Sequence, residues 1–132
     1  MNKIETVHAF MDAITERDLD RYRKLCAPGY VLWHSYNQVE MDIERSIAAL
    51  DMMIQVMPEI EYVDRDVFEA PRDSVIAQYI CRGSTTLGEP VALHVMLRIF
   101  YDDAGLLLRI EEYVDSGECM VIRRAGEART AA

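Results

Sequence analysis

Near the C-terminus the chain reads Leu106-Leu107-Leu108-Arg109-Ile110-Glu111-Glu112-Tyr113-Val114-Asp115. Apolar and polar side chains alternate here with a period of two, which predicts a strand with one apolar face. Removing a lone carboxylate from water costs on the order of several kcal/mol, so an acid on such a face must find a partner, keep its proton or line a cavity. Glu112 is therefore the first candidate for a catalytic residue. The predicted apolar face consists of Leu108, Ile110, Glu112 and Val114.

Composition and charge limit the classes of protein to which the chain can belong. Its 132 residues suit one domain, and its formal net charge is −9. This charge would repel a phosphate backbone or an anionic membrane, so we expect neither a nucleic acid nor a membrane as a partner. Apolar runs stay below the ~18 residues of a membrane span, and no signal-peptide pattern opens the chain. Cys26, Cys81 and Cys119 have no CxxC spacing, which predicts reduced thiols and a cytoplasmic location.

Capping patterns and periodicity predict three helices in the N-terminal half. Asn2 followed by Glu5 forms a capping-box pattern, and apolar residues then recur at helical spacing over residues 3–16. Asp18 can cap a short second helix, and the segment from Tyr30 to His34 has the composition of a strand. The third helix carries the clearest apolar stripe, which ends before Pro58 and consists of Ile43, Ile47, Leu50, Ile54 and Met57.

Four strand-like runs follow the third helix, at about residues 59–69, 74–84, 91–101 and 106–115. Three helices followed by these strands predict an α+β domain, in which a curved antiparallel sheet packs as a cone against the three N-terminal helices. An open cone can hold a ligand cavity. We expect a single domain over residues 1–118 and a loosely ordered tail over residues 119–132.

Several strings resemble the nuclear transport factor 2-like superfamily, whose fold is a cystatin-like cone. Within it the chain resembles the SnoaL-like polyketide cyclase and ketosteroid isomerase branch, over about residues 3 to 116. The superfamily contains enzymes and non-catalytic scaffolds, so the resemblance implies the fold and leaves the reaction open. The strings are Arg17 to Asp20, Val31 to His34, Met57 to Glu61, Asp73 to Ala77, Arg82 to Thr85, Tyr101 to Gly105 and Glu112 to Asp115.

The resemblance to ketosteroid isomerase implies a base at His34, because the position of that enzyme's catalytic aspartate falls there. An imidazole can accept and return a proton near neutral pH. The position of the oxyanion tyrosine falls on Phe10, and that of the protonated aspartate falls near Leu97. Neither side chain can donate a hydrogen bond, so steroid isomerisation by that mechanism is not expected.

The resemblance to limonene epoxide hydrolase implies a different, water-activating site. Glu112 matches one of that enzyme's acids, and Tyr36-Asn37 lies near the position of its Tyr and Asn. The arginine position falls on Gln78 and the second acid falls on Ile80, so the pair of carboxylates is incomplete. Epoxide hydrolysis is kept as an alternative function.

The SnoaL-like cyclases imply an acid on the last strand and a histidine elsewhere in the pocket, and Glu112 and His34 match these roles. We expect a cofactor-free cyclase, isomerase or lyase of the dehydratase type, which performs acid–base chemistry on a small, largely apolar carbonyl compound. Gln78 would orient the substrate, and the histidine spacing predicts no metal site. The other predicted substrate contacts are Tyr36, Asn37, Phe10, Leu32, Leu50, Met53, Leu97 and Ile110.

A non-catalytic scaffold for small molecules or proteins is the alternative from a different class. It would have a filled core, in which protein groups alone satisfy Glu112. In either case the outer side of the sheet, with Glu111 and Tyr113, is predicted to form a homodimer interface. His94 has the opposite parity to Val95 and Leu97, so we expect it to face away from the pocket.

Overall fold

Four helices and six strands follow one another along residues 1–131, the part of the chain that the computed structural model describes. The α+β class is confirmed: a six-stranded curved sheet packs against the helices. The helices are α1 (Lys3–Thr15), α2 (Leu19–Leu25), α3 (Ile43–Val56) and α4 (Ser116–Ala131). The strands are β1 (Cys26–His34), β2 (Glu40–Met41), β3 (Glu59–Ala70), β4 (Ser74–Ser84), β5 (Pro90–Tyr101) and β6 (Leu107–Val114).

Side-chain caps fix where the first three helices begin. At α1 the Asn2 side chain accepts a hydrogen bond from the Glu5 amide, and the Glu5 carboxylate accepts one from the Asn2 amide, which confirms the capping box. Asp18 caps α2 and Asp42 caps α3 in the same way, each through the amide three residues later. These caps satisfy backbone donors that have no partner inside the helix.

The strands lie in the order β2-β1-β6-β5-β4-β3. All neighbours are antiparallel except β1 and β6, which run parallel and bring His34 opposite Glu112. Because side chains alternate across a sheet, one face packs against the helices and the other points away from them. We call these the inner face, which carries Ala77, Leu97 and Ile110, and the outer face, which carries Gln78, Met96 and Glu111.

A buried cluster of hydroxyl groups joins α2, β1 and α3. The Tyr22 hydroxyl lies 2.7 Å from the Tyr30 hydroxyl and 2.7 Å from Ser46 Oγ. All three residues are almost completely buried. Each hydroxyl therefore depends on the others for its hydrogen bonds, and the cluster fixes how the two helices meet the first strand.

The C-terminus differs from the sequence-based expectation. Residues 119–132 were predicted as a loose tail, whereas α4 occupies Ser116–Ala131, and Ala132 lies outside the described residues. One side of α4 supplies Cys119, Val121, Ile122 and Ala125 to the core, which offsets the entropy cost of ordering the segment. None of the helices within residues 1–131 is long and apolar enough to cross a membrane.

Candidate active site

An imidazole and a carboxylate meet on the inner face of the sheet, where β1 and β6 run side by side. His34 Nε2 lies 2.9 Å from Glu112 Oε2. The His34 side chain is 12% exposed and the Glu112 side chain is 22% exposed. The structure thus brings together the two residues that the sequence singled out, and leaves each with limited access to solvent.

The backbone fixes this pair from both sides. His34 and Glu112 are register partners, and beyond them the Ser35 amide donates to the Glu112 carbonyl oxygen at 2.9 Å. Ser35 Oγ accepts a hydrogen bond from the Val114 amide, which joins the end of β1 to the end of β6. On its other side Glu112 is paired with Leu97 of β5. The two functional groups therefore sit on ordered strands rather than on loops.

The alternation of β6 separates two kinds of charged group. Arg109 and Glu111 form an ion pair on the outer face, with Nε and Oε2 3.1 Å apart. Glu112 points the opposite way, and His34 is the side chain that pairs with it among residues 1–131. A carboxylate and an imidazole are both groups that can accept and return a proton, so the pair has the chemistry that acid–base catalysis requires.

The negative charge of Glu112 influences thiols inside the domain. Burial raises the pKa of Cys119 to about 11, and the nearby Glu112 carboxylate adds to this effect. Burial likewise raises the pKa of Cys81 to about 12, again with a smaller contribution from Glu112. Both thiols consequently stay protonated at neutral pH, so neither is a ready nucleophile.

Tyr36 and Asn37 lie in the turn after β1, but their surroundings differ. The Tyr36 ring centroid is 5.3 Å from that of His34, and the Tyr36 residue is 47% exposed. Burial, followed by the charges of Cys119 and Glu112, raises the pKa of Tyr36. The Asn37 side-chain oxygen accepts a hydrogen bond from the Val39 amide, so it stabilises the turn. Tyr36 thus forms part of the rim beside the pair.

The residues predicted to line the pocket fall into two groups. Phe10, Leu32, Leu97 and Ile110 are buried in the core at the inner face. Leu50 and Met53 lie on α3 and are only partly buried. Leu97 is the register partner of Glu112 on the inner face, and the partly buried Leu50 and Met53 leave apolar surface within reach of solvent.

Gln78 does not belong to this site, which corrects the sequence-based assignment. It is exposed on the outer face, paired with Met96, while its neighbours Ala77 and Tyr79 are buried on the inner face. A displacement of one residue along a strand turns a side chain to the opposite face. Gln78 instead borders an open groove of about 590 Å³ on the outer side, together with His94.

Two inner-face tyrosines were missed by the sequence-based search. Tyr62 on β3 and Tyr79 on β4 place their ring centroids 4.8 Å apart. Tyr79 has the same parity as the buried residues Val75, Ala77 and Cys81, but β4 is apolar on both faces, so its alternation did not single this tyrosine out. Among the described side chains, no group of three or more His, Cys, Asp or Glu residues could hold a metal ion.

A profile of the SnoaL-like domain matches residues 7–118. The chain belongs to the SnoaL-like family. No curated protein compared with the sequence matches it.

Solved structures with the same fold include three with extensive coverage. One, from Bacillus subtilis and provisionally named an isomerase, has a TM-score of 0.76, is 18% identical, and aligns over 95% of both chains. Another, from Pseudomonas putida and provisionally named a polyketide cyclase, has a TM-score of 0.79 and is 16% identical, over 92% of this chain and 96% of that one. PrhC from Penicillium brasilianum has a TM-score of 0.80 and is 16% identical, over 98% of this chain and 91% of its own. At these identities the similarity establishes the fold alone.

Proposed function

We propose that this SnoaL-like protein is a cofactor-free acid–base enzyme of the cyclase, isomerase or dehydratase type, acting on a small, largely apolar carbonyl compound. The observation that supports the proposal is the 2.9 Å contact between His34 Nε2 and Glu112 Oε2 on the inner face of the sheet. The names of similar structures, which include an isomerase and a polyketide cyclase, agree with this class of reaction.

The chemistry requires little beyond these two groups. The Glu112 carboxylate takes a proton from the carbon next to the carbonyl, and the electron pair of the broken C–H bond moves into an enolate. His34 holds the carboxylate in place and provides a route for the proton. Return of the proton to a different carbon completes an isomerisation, loss of a β-hydroxyl as water completes a dehydration, and attack on a second carbonyl closes a ring. Each positioned group contributes on the order of 10²–10⁴ in rate.

The surroundings of the pair suit such a reaction. The buried side chains of Leu97 and Ile110 exclude water from one side of Glu112. Leu50 and Met53 on α3 offer apolar surface to the substrate, and Tyr36 stands at the rim next to His34. A charge in a poorly solvated site acts more strongly on a bound molecule than the same charge in water.

Deuterium exchange tests this proposal directly. A panel of small cyclic ketones, with 2-tetralone as the reference, is incubated with the protein in D₂O, and loss of the proton signal next to the carbonyl is followed by NMR. We expect the protein to accelerate exchange, and Glu112→Gln to reduce the acceleration by about 100-fold or more, because the amide cannot accept the proton.

Glu111→Gln is the matched control, because it removes the same charge from the next residue on the outer face. It should leave the exchange rate unchanged. A Glu112→Gln protein that exchanges ketone protons as fast as the wild type, or a wild type that does not exceed the buffer rate with any ketone of the panel, would contradict the proposal.

A non-catalytic binding protein is the second candidate, and one observation favours it. Phe10, Leu97 and Ile110 are packed in the core, as they would be in a scaffold with a filled interior. In that case Glu112→Gln alters only stability. Epoxide hydrolysis has less support, because that mechanism needs a second carboxylate, whereas the described partner of Glu112 is an imidazole.

We also propose a homodimer formed through the outer face. Met96 is 38% exposed and Tyr113 is 46% exposed, although both are large apolar side chains. Tyr113 packs against Trp33 with ring centroids 5.4 Å apart, which extends the apolar surface across β6 and β1. Exposed aromatic and apolar surface of this kind is typical of an interface.

The free cysteines agree with a reducing, cytoplasmic compartment.

A further inference from the structure

A row of three side chains crosses the middle of the outer face. Gln78 of β4, Met96 of β5 and Tyr113 of β6 are register partners, and β5 is the middle one of the five long strands. His94 lies two residues before Met96 and Arg98 lies two residues after it, so both flank the row on the same face. The two ends of the outer face therefore carry different polar groups.

The end with His94 carries the open groove of about 590 Å³, and this groove is acidic. Its lining includes the carboxylates of Asp64, Asp115 and Glu118, and the apolar side chain of Met96. Glu118 Oε2 lies 2.9 Å from His94 Nδ1, and the Glu118 side chain is 33% exposed. An arginine combines an apolar stem with a cationic end, so it suits a groove of this kind.

Arg98 supplies a positive charge at the opposite end of the same face. Its Nε donates to Ser74 Oγ at 3.2 Å, and its Nη2 donates to the Pro71 carbonyl oxygen at 3.1 Å. The guanidinium group also lies over the Phe100 ring, 5.1 Å from the centroid. Along residues 1–131 no carboxylate forms an ion pair with Arg98. Neutral groups thus hold this charge in position without neutralising it.

We propose that the outer groove receives the Arg98 side chain of a second copy of this chain, with Glu118 as its ion-pair partner. This inference rests on the homodimer proposed above and gives it an orientation. Most homodimers have twofold symmetry, in which one patch packs against the same patch of the other subunit. A twofold axis through the central row brings the two β5 strands together antiparallel. Arg98 of each copy then lies over His94 and Glu118 of the other, on either side of Met96.

Charge favours this orientation over one that brings groove against groove. Each chain has a formal net charge of −9, so two copies repel one another unless opposite charges meet at the interface. Groove against groove would bring the carboxylates of Asp64, Asp115 and Glu118 of both copies together, and such like-charge contacts are unfavourable. The antiparallel arrangement instead places an uncompensated guanidinium group at each acidic groove.

Charge reversal tests the pairing, with the dimer dissociation constant from sedimentation equilibrium as the readout. In a homodimer, Arg98→Glu places two carboxylates at each contact, and Glu118→Lys places two cations there. Each variant alone should therefore dimerise at least about tenfold more weakly than the wild type. An equimolar mixture of the two variants should regain the wild-type dissociation constant to within about threefold, because both contacts of the mixed dimer then join opposite charges.

Arg45→Glu is the matched control, because it makes the same change of charge at an exposed position on α3 and should leave the dimer intact. If circular dichroism shows that a reversal unfolds the protein, Arg98→Gln and Glu118→Gln replace it, and each should weaken the dimer several-fold.

The possible results separate this pairing from the homodimer itself. A dimeric wild type whose association is unchanged by the Arg98 and Glu118 substitutions, or whose reversed variants do not associate on mixing, overturns the pairing alone. A wild type with the mass of a single chain overturns both and leaves the groove to a different ligand. Neither result bears on the proposed acid–base reaction, which deuterium exchange measures independently.

Discussion

The Cys119 thiol of α4 lies near the Glu112 carboxylate of β6. Burial raises the pKa of this thiol to about 11, and the negative charge of Glu112 adds to the effect. Alkylation proceeds through the thiolate, so it should be slow at pH 8 and accelerate as the pH rises towards 11. Glu112→Gln removes the charge and should lower the pKa of Cys119, which makes alkylation at pH 8 several-fold faster, since one pKa unit changes the thiolate fraction about tenfold.

Mass spectrometry of iodoacetamide-treated protein measures this rate for Cys119 separately from the buried Cys26 and Cys81. Glu111→Gln on the outer face should not change it. Equal rates in the wild type and Glu112→Gln would mean that α4 does not hold the thiol beside the carboxylate.

The packing of α4 can be tested with two alanines of the same helix. Ala125 is 1% exposed, whereas Ala128 is exposed. Ala125→Asp places a carboxylate in the core without a partner, and we expect it to lower the free energy of unfolding by about 2 kcal/mol or more. Ala128→Asp should change it by less than about 0.5 kcal/mol. Urea unfolding measures both, and equal stabilities would show that α4 does not pack as described.

The sequence singled out Glu112 by itself, because one acid stands among the apolar side chains on one face of β6. His34 was assigned its role through the resemblance to ketosteroid isomerase and the SnoaL-like cyclases. Parallel pairing of β1 with β6 then brought these residues opposite each other. The helix starts were also predictable, because Asn2 and Asp18 carry explicit capping chemistry.

Other features had no comparable signal. β4 is apolar on both faces, with Ile76 and Ile80 outside and Val75 and Ala77 inside, so parity could not assign Gln78. The position came from a family resemblance, which carries no register information for this chain. α4 was missed because its apolar residues are few and it contains glycines, so its helical form depends on packing against the rest of the domain.

Gly83 shows how closely β3 and β4 approach each other. A Cβ at this position would overlap the carbonyl oxygen of Glu59 on the neighbouring strand. Gly83→Ala must therefore push the strands apart, and we expect it to lower the free energy of unfolding by about 1–3 kcal/mol.

Gly126→Ala is the matched control for this substitution, because a Cβ there would meet open space on α4. It should raise the free energy of unfolding by about 0.5–1 kcal/mol, since alanine favours a helix over glycine. Thermal unfolding followed by circular dichroism compares the two. A Gly83→Ala protein as stable as the wild type would show that β3 and β4 can separate here without loss.

The proposed homodimer can be tested with two methionines of nearly equal exposure. Met96 on the outer face is 38% exposed, and Met52 on α3 is 39% exposed. If the outer faces of two subunits pack together, Met96→Asp places a charge inside the interface and should weaken the dimer by at least about tenfold, whereas Met52→Asp should leave it intact. Sedimentation equilibrium compares each protein with the 15.2 kDa mass of one chain. The outer face would be excluded as the dimer interface if the wild type sedimented with the mass of a single chain. It would also be excluded if Met96→Asp and Met52→Asp had the same dimer dissociation constant.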